Sequence, residues 1–141
     1  MRDYLKMDMP VGEARGVSAP GLAYVGDAVY ELMTRTRLCA EGGVTARNMH
    51  EKAVARVSAK AQASAARRVL PELTEDERAV YKRGRNTRAR SMARGAARSE
   101  YHMSTGLEAL FGYLYLLGET ARLGELFDLA YGAEPYLQSG D

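Results

Sequence analysis

Apolar residues recur at helical spacing along most of this chain, and no stretch alternates apolar with polar residues over the length of a half-buried strand. The pattern predicts an all-α fold. Ser18 stands where it can cap a helix and Pro20 in the first turn, where the missing N–H costs nothing, so a helix is predicted from there to about Leu38, closed by Gly42 and Gly43. The alanine-rich run from Thr45 to Pro71 reads as a second helix, long enough that a break inside it is expected. Thr74 followed by Glu77 has the form of a capping box and marks a third helix start, with Gly84 and Asn86 as its end. Weak periodicity between Thr87 and His102, with Gly95 in the middle, predicts a short helix flanked by loops. Ser104 or Thr105 then opens GLEALFGYLYLLG, apolar nearly all round and therefore the predicted central helix, and an amphipathic helix from about Glu119 to Tyr131 follows.

With 141 residues, 46% of them hydrophobic and 27% charged, the chain has the size and composition of one soluble domain with a single core. The expected division is an N-terminal arm over 1–17, a catalytic-type domain over 18–133 and a polar tail over 134–141. The longest apolar run is far short of a membrane span, and charges occupy the place where a signal peptide needs an apolar stretch. Cys39 has no companion in the chain and reads as a reduced, partly buried thiol, consistent with a cytoplasmic protein.

The net charge of +2 says little about partners, but its distribution is uneven. Arg78, Lys82, Arg83, Arg85, Arg88, Arg90, Arg94 and Arg98 fall in one segment without an acid, whereas Arg122 is the sole basic residue after Gly106.

Two acids do not suit their surroundings. On a helical wheel Leu22, Val25, Val29 and Leu32 cluster opposite Asp27, so a solvated face is its bland explanation. Against that, Gly26 costs about 1 kcal/mol of helix stability relative to alanine, and a glycine at such a place usually permits close approach of another backbone or a ligand. Glu108 repeats the problem, with Gly112 close by angle; its bland explanation is a capping box formed with Thr105. If both acids face one cleft, two carboxylates suit a hard cation such as Mg²⁺, which keeps several waters and leaves room for a phosphate oxygen. Beside an arginine-rich segment, that chemistry points to nucleic-acid hydrolysis.

AYVGDAVYEL, YKRGRN, STGLEALFGYLYLLG and VSAKAQA, in the expected order and spacing over roughly residues 18–131, resemble the catalytic domain of the ribonuclease III family, most closely its stand-alone short form, Mini-ribonuclease III. The resemblance implies an all-helical homodimer that cuts both strands of double-stranded RNA with Mg²⁺, leaving 5′-phosphate and 3′-hydroxyl ends, and a role in ribosomal RNA (23S precursor) maturation. It assigns Asp27 and Glu108 as catalytic metal ligands. Pro20, Ala23 and Thr105 stand where longer family members carry acids, which implies fewer direct ligands and looser metal binding. Without a separate RNA-binding domain, the segment from Lys82 to Arg98 is the expected RNA grip, through Lys82, Arg83, Arg85, Asn86 and Arg88, with Lys60 a further contact and Gly84 and Asn86 forming a loop able to enter a groove.

Other residues receive ordinary readings. Glu31 pairs with a nearby arginine or assists the site through water; His50 and His102 serve surface or packing roles; Tyr24, Tyr30, Tyr113 and Tyr115 are core or dimer contacts. The rival to a nuclease is a catalytically silent RNA-binding or ribosome-associated relative, against which the retention of both acids argues. A helical interaction module with incidental acids is the least economical alternative.

Overall fold

The computed structural model describes residues 2–43, 45–87 and 96–132. Within them lie α1 (Val11–Arg15), α2 (Ala19–Glu41), α3 (Ala46–Val57), α4 (Ala59–Val69), α5 (Glu75–Arg85), α6 (Ala96–Leu117) and α7 (Thr120–Tyr131), with a short 3₁₀ turn at Leu70–Glu72 and no strand among the described residues. The all-α expectation holds.

Side-chain caps set most of the starts. Ser18 Oγ accepts from the Gly21 N–H at 3.1 Å, and Thr45 and Ser58 do the same for α3 and α4 at 3.2 Å each. Ser58 has extended backbone, ψ 156°, and this splits the expected long alanine-rich helix in two. Thr74 and Glu77 form both halves of the capping box at the head of α5, with N···O distances of 2.9 and 3.2 Å.

The largest departure from the sequence expectation is at α6. It does not open at Ser104 or Thr105 but runs unbroken from Ala96, so Arg98 to His102 belong to the central helix and not to a separate short one. Thr105 is accommodated inside it because its hydroxyl donates to the Tyr101 carbonyl one turn back, at 2.9 Å.

Helix α6 is the axis of the domain. Its Leu107, Leu110, Phe111 and Tyr113 are fully buried, in one cluster with Leu22 and Tyr30 of α2, Ala65 and Val69 of α4, Val80 and Tyr81 of α5, and Leu126 and Phe127 of α7. Each large apolar side chain so buried contributes roughly 1.5–3 kcal/mol before the entropy of ordering is subtracted.

Arginines fasten α7. Arg122 forms a two-pronged pair with Glu77 at 2.8 and 2.9 Å and donates to the Glu72 carbonyl at 2.8 Å. At the other end, Arg56 donates to Tyr131 O at 2.6 Å and Arg68 to Leu129 O at 3.2 Å and to Ala130 O, satisfying carbonyls that a helix end leaves unpaired. The guanidinium carbons of Arg37 and Arg56 lie 4.0 and 3.8 Å from the centroid of the Tyr131 ring.

The N-terminal segment docks on the domain: Met7 is buried, the Met9 N–H donates to Leu116 O at 2.8 Å, and Arg15 pairs with Asp76. Cys39 is exposed, contrary to the partly buried thiol expected. Among the described residues no helix is long and apolar enough to cross a membrane.

Candidate active site

The site begins with two glycines. A Cβ placed on Gly26 would lie 1.6 Å from the Glu108 carbonyl oxygen, and one on Gly112 would lie 2.0 Å from that of Leu22. Helices α2 and α6 therefore cross backbone against backbone, which no residue with a side chain permits at this separation. What Gly26 accommodates is another backbone, and the contact carries Glu108 itself.

The crossing also sets which face of α2 is buried. Leu22, Gly26, Tyr30, Thr34 and Leu38, four residues apart, form the ridge that enters the domain. The stripe predicted opposite Asp27 is only half right: Leu22 and Val29 are buried, but Leu32 is 59% exposed and Val25 half-buried. Leu32 and Val25 instead line an apolar depression of about 550 Å³ with Leu5, Tyr24, Tyr115 and Asp27.

Asp27, exposed at the edge of this crossing, lies within hydrogen-bonding reach of Glu108 on α6. Burial first, and then the neighbouring Asp27 carboxylate, push the Glu108 carboxyl up to about 8. Among the described residues no cation acts on it, and the one opposing influence is the side-chain amide of Gln62. The capping-box explanation of Glu108 fails, because Thr105 lies inside α6 and its hydroxyl is turned to Tyr101.

Gln62 is the residue that the sequence reading passed over. It projects from α4 with no solvent exposure, and Ser104, one turn before Glu108 on α6, donates its hydroxyl to Gln62 Oε1. The amide nitrogen Nε2 is buried and completes no hydrogen bond among the described residues. A signal existed: Gln62, Ala65, Ala66 and Val69 share the helical spacing of one buried stripe, so a polar residue stands where the pattern calls for an apolar one.

Two carboxylates without a cationic partner among the described residues, backed by a buried amide, fit a small divalent cation bound through oxygen. The described residues contain no group of three or more His, Cys, Asp or Glu side chains able to hold a metal.

Glu31, one turn beyond Asp27, pairs with Arg35, which favours the structural reading over a catalytic one. Lys60 is exposed at the head of α4, two residues before Gln62. Lys82, Arg83 and Asn86 are exposed at the end of α5 and Arg85 half-buried there; Arg83 also donates to Val17 O at 3.1 Å, and Arg88 lies outside the described residues. The loop expected at Gly84 is corrected: Gly84 is buried inside α5, where a Cβ would come within 2.6 Å of Ala109 Cβ and 2.9 Å of Thr105 O, so it seats α5 on α6. Asn86 caps that helix and, with Arg85, Ser99, His102 and Met103, lines an open pocket of about 360 Å³.

The Ribonuclease III domain family matches residues 21–119. A Mini-ribonuclease 3 of Symbiobacterium thermophilum is 45% identical over 109 residues, 77% of this chain and 84% of that protein. One of Enterococcus faecalis is 41% identical over 130 residues, 91% of each. A crystal structure of a Fusobacterium nucleatum protein aligns with a TM-score of 0.74 at 27% identity, covering 83% of this chain and 93% of that one. The glycine crossing, the acid pair it creates and these relatives lead to one conclusion: the chain belongs to the ribonuclease III family.

Proposed function

We propose that this chain is a homodimeric, Mg²⁺-dependent endonuclease that cuts double-stranded RNA in the cytoplasm, with ribosomal RNA (23S precursor) as its cellular substrate. As a member of the ribonuclease III family it is an endoribonuclease; the metal, the substrate, the assembly and the place of action are the proposed parts. The observation carrying the proposal is the juxtaposition of Asp27 and Glu108 at the Gly26–Gly112 crossing.

Asp27 and Glu108 would hold the cation, which when bound supplies Lewis-acid polarisation of a phosphodiester and a more acidic water. The remaining work falls to the chain. Glu108 must give up its proton to become a ligand, and Asp27, exposed beside it, presents the site to the substrate. Lys82, Arg83, Arg85 and Lys60 offer positive charge for phosphate oxygens, the main grip on a duplex, with Asn86 and Arg88 of the same sequence segment as further contacts. Attack of a water oxygen on phosphorus with breakage of the P–O3′ bond, the water's proton ending on the leaving 3′-oxygen, gives 5′-phosphate and 3′-hydroxyl ends.

Self-association is supported by the apolar depression beside Asp27. Leu5, Tyr24 and Leu32 are 84%, 83% and 59% exposed along it, a grouping that a monomer has no reason to keep in water. A two-fold assembly through this face would set two equivalent sites near one duplex, one for each strand.

The test is cleavage of a long RNA duplex with and without Mg²⁺ by the wild type, Asp27→Asn and Glu108→Gln. Metal-dependent cutting by the wild type, reduced at least 100-fold in both variants, is the expected result. Undiminished cutting by Asp27→Asn removes the proposed site; inactivity of all three favours a silent RNA-binding relative.

A further inference from the structure

We propose that Gln62 is a positioning residue for Glu108: held by Ser104, its amide nitrogen fixes the carboxylate in the orientation in which it receives the divalent cation. The inference rests on the metal reading of the Asp27–Glu108 pair. Three features of the molecule carry it.

First, Gln62 is wholly buried on α4 in an otherwise alanine-lined stripe, where an apolar side chain would avoid the cost of burying an amide. Second, its two ends are treated differently. Ser104 donates to Oε1, which leaves Nε2 facing away from Ser104 as a donor, and among the described residues that donor completes no hydrogen bond. Third, Ser104 and Glu108 are one helical turn apart on the same face of α6, and the Gln62 amide reaches both: it bonds the first and acts on the second.

A buried donor left unpaired is costly, and it is kept where another state of the molecule pairs it. The acceptor within reach is a Glu108 oxygen. When one carboxylate oxygen turns to a cation, an N–H fixed behind the other holds the plane of the group and favours its charged form, the usual service of an outer partner to a metal ligand. Ser104 matters because a free glutamine amide rotates end for end and presents Oε1, which repels a carboxylate.

The test measures Mn²⁺ binding to the RNA-free protein by electron paramagnetic resonance, together with thermal unfolding in chelator. Gln62→Met keeps length and volume while removing the donor. Mn²⁺ affinity is expected to fall about 10-fold or more, with no fall in the metal-free melting temperature, because the variant loses an unpaired buried amide. Ser104→Ala is expected to lower the affinity by a smaller factor, and it decides the question if Gln62→Met does not fold. Wild-type Mn²⁺ affinity in a folded Gln62→Met, or in Ser104→Ala where the methionine variant fails, overturns the role. Unchanged binding in Asp27→Asn and Glu108→Gln overturns the metal site itself, and the role of Gln62 with it; the two failures are thus distinguished.

Discussion

Glu77 and Glu108 are two glutamates at helix contacts of α6's neighbourhood, and they have been brought to opposite states. Glu77 is 6% exposed, accepts the Arg122 fork and the Thr74 N–H, and its carboxyl is held below the usual range, first by the Arg122 hydrogen bonds. Glu108 faces another carboxylate and an amide without a completed bond, and it is pushed up to about 8. One acid is fully partnered by the fold; the other is not. Complete partnering serves anchoring, and incomplete partnering serves a site that must accept charge later.

The comparison breaks most severely if the crossing that creates the second acid's surroundings is blocked. Gly26→Ala places a methyl 1.6 Å from Glu108 O, against backbone that cannot rotate aside. The helices must separate, at a cost of about 3 kcal/mol or more in urea unfolding. Any protein that still folds should have lost its Mn²⁺ affinity, since Asp27 and Glu108 move apart. An alanine variant with wild-type stability would mean that the two backbones are not in contact at Gly26.

Removing each glutamate sharpens the contrast by sign. Glu77→Ala strands a partly buried Arg122 and opens the capping box, for a loss of about 3 kcal/mol. Glu108→Gln should instead stabilise the metal-free protein, by roughly 2 kcal/mol at pH 8 once solvent at the partly open site is allowed for. The pH dependences run oppositely. Glu77 has a depressed folded pKa, so its contribution is present above its unfolded value and is lost as pH falls through the folded one. Glu108 has a raised one: between its unfolded value, near 4.3, and about 8 the folded state holds the extra proton. Stability from Glu108 therefore declines as pH rises through that window, and the advantage of Glu108→Gln over wild type should grow from pH 5 to pH 8 in chelator melts. A constant advantage would show that Glu108 is not carrying the proton.

Arg122 and Lys82 extend the contrast to the cations. Arg122 is spent on Glu77 and Glu72, whereas Lys82 is exposed at the end of α5. Lys82→Ala should leave stability within about 0.5 kcal/mol of wild type. It should also lower the salt slope of duplex binding by about 1, as one phosphate contact is lost. An unchanged slope would exclude Lys82 from the RNA grip.

Much of this was legible from local chemistry. Ser18 and Thr74 cap as their spacing says, and Gly26 does admit a close neighbour. The Asp27–Glu108 pairing came from asking which acids disagree with their helices. Distant partners were not legible. That Gly26 meets Gly112, that Gly84 seats a helix instead of turning a loop, and that Gln62 reaches between Ser104 and Glu108 all depend on how helices cross, which no short window contains. Leu32 misled for a related reason: periodicity finds an apolar face without saying whether this domain or another surface covers it.

The smallest effect separates the two glutamates at the level where they look the same. Thr74-Glu-Asp-Glu77 and Thr105-Gly-Leu-Glu108 share one spacing, threonine followed three residues later by glutamate. At the first, Thr74 Oγ1 accepts the Glu77 N–H at 3.2 Å and begins a helix. At the second, the helix is already nine residues old, its N–H groups are taken, and the threonine hydroxyl can only donate backwards to Tyr101 O. Thr74→Ala should therefore cost about 1 kcal/mol. Thr105→Ala should be neutral or stabilising by a few tenths of a kcal/mol, because alanine is the better helix former and no cap is lost. Equal losses in the two variants, measured by urea unfolding, would mean that Thr105 caps after all and that α6 starts where the local pattern placed it.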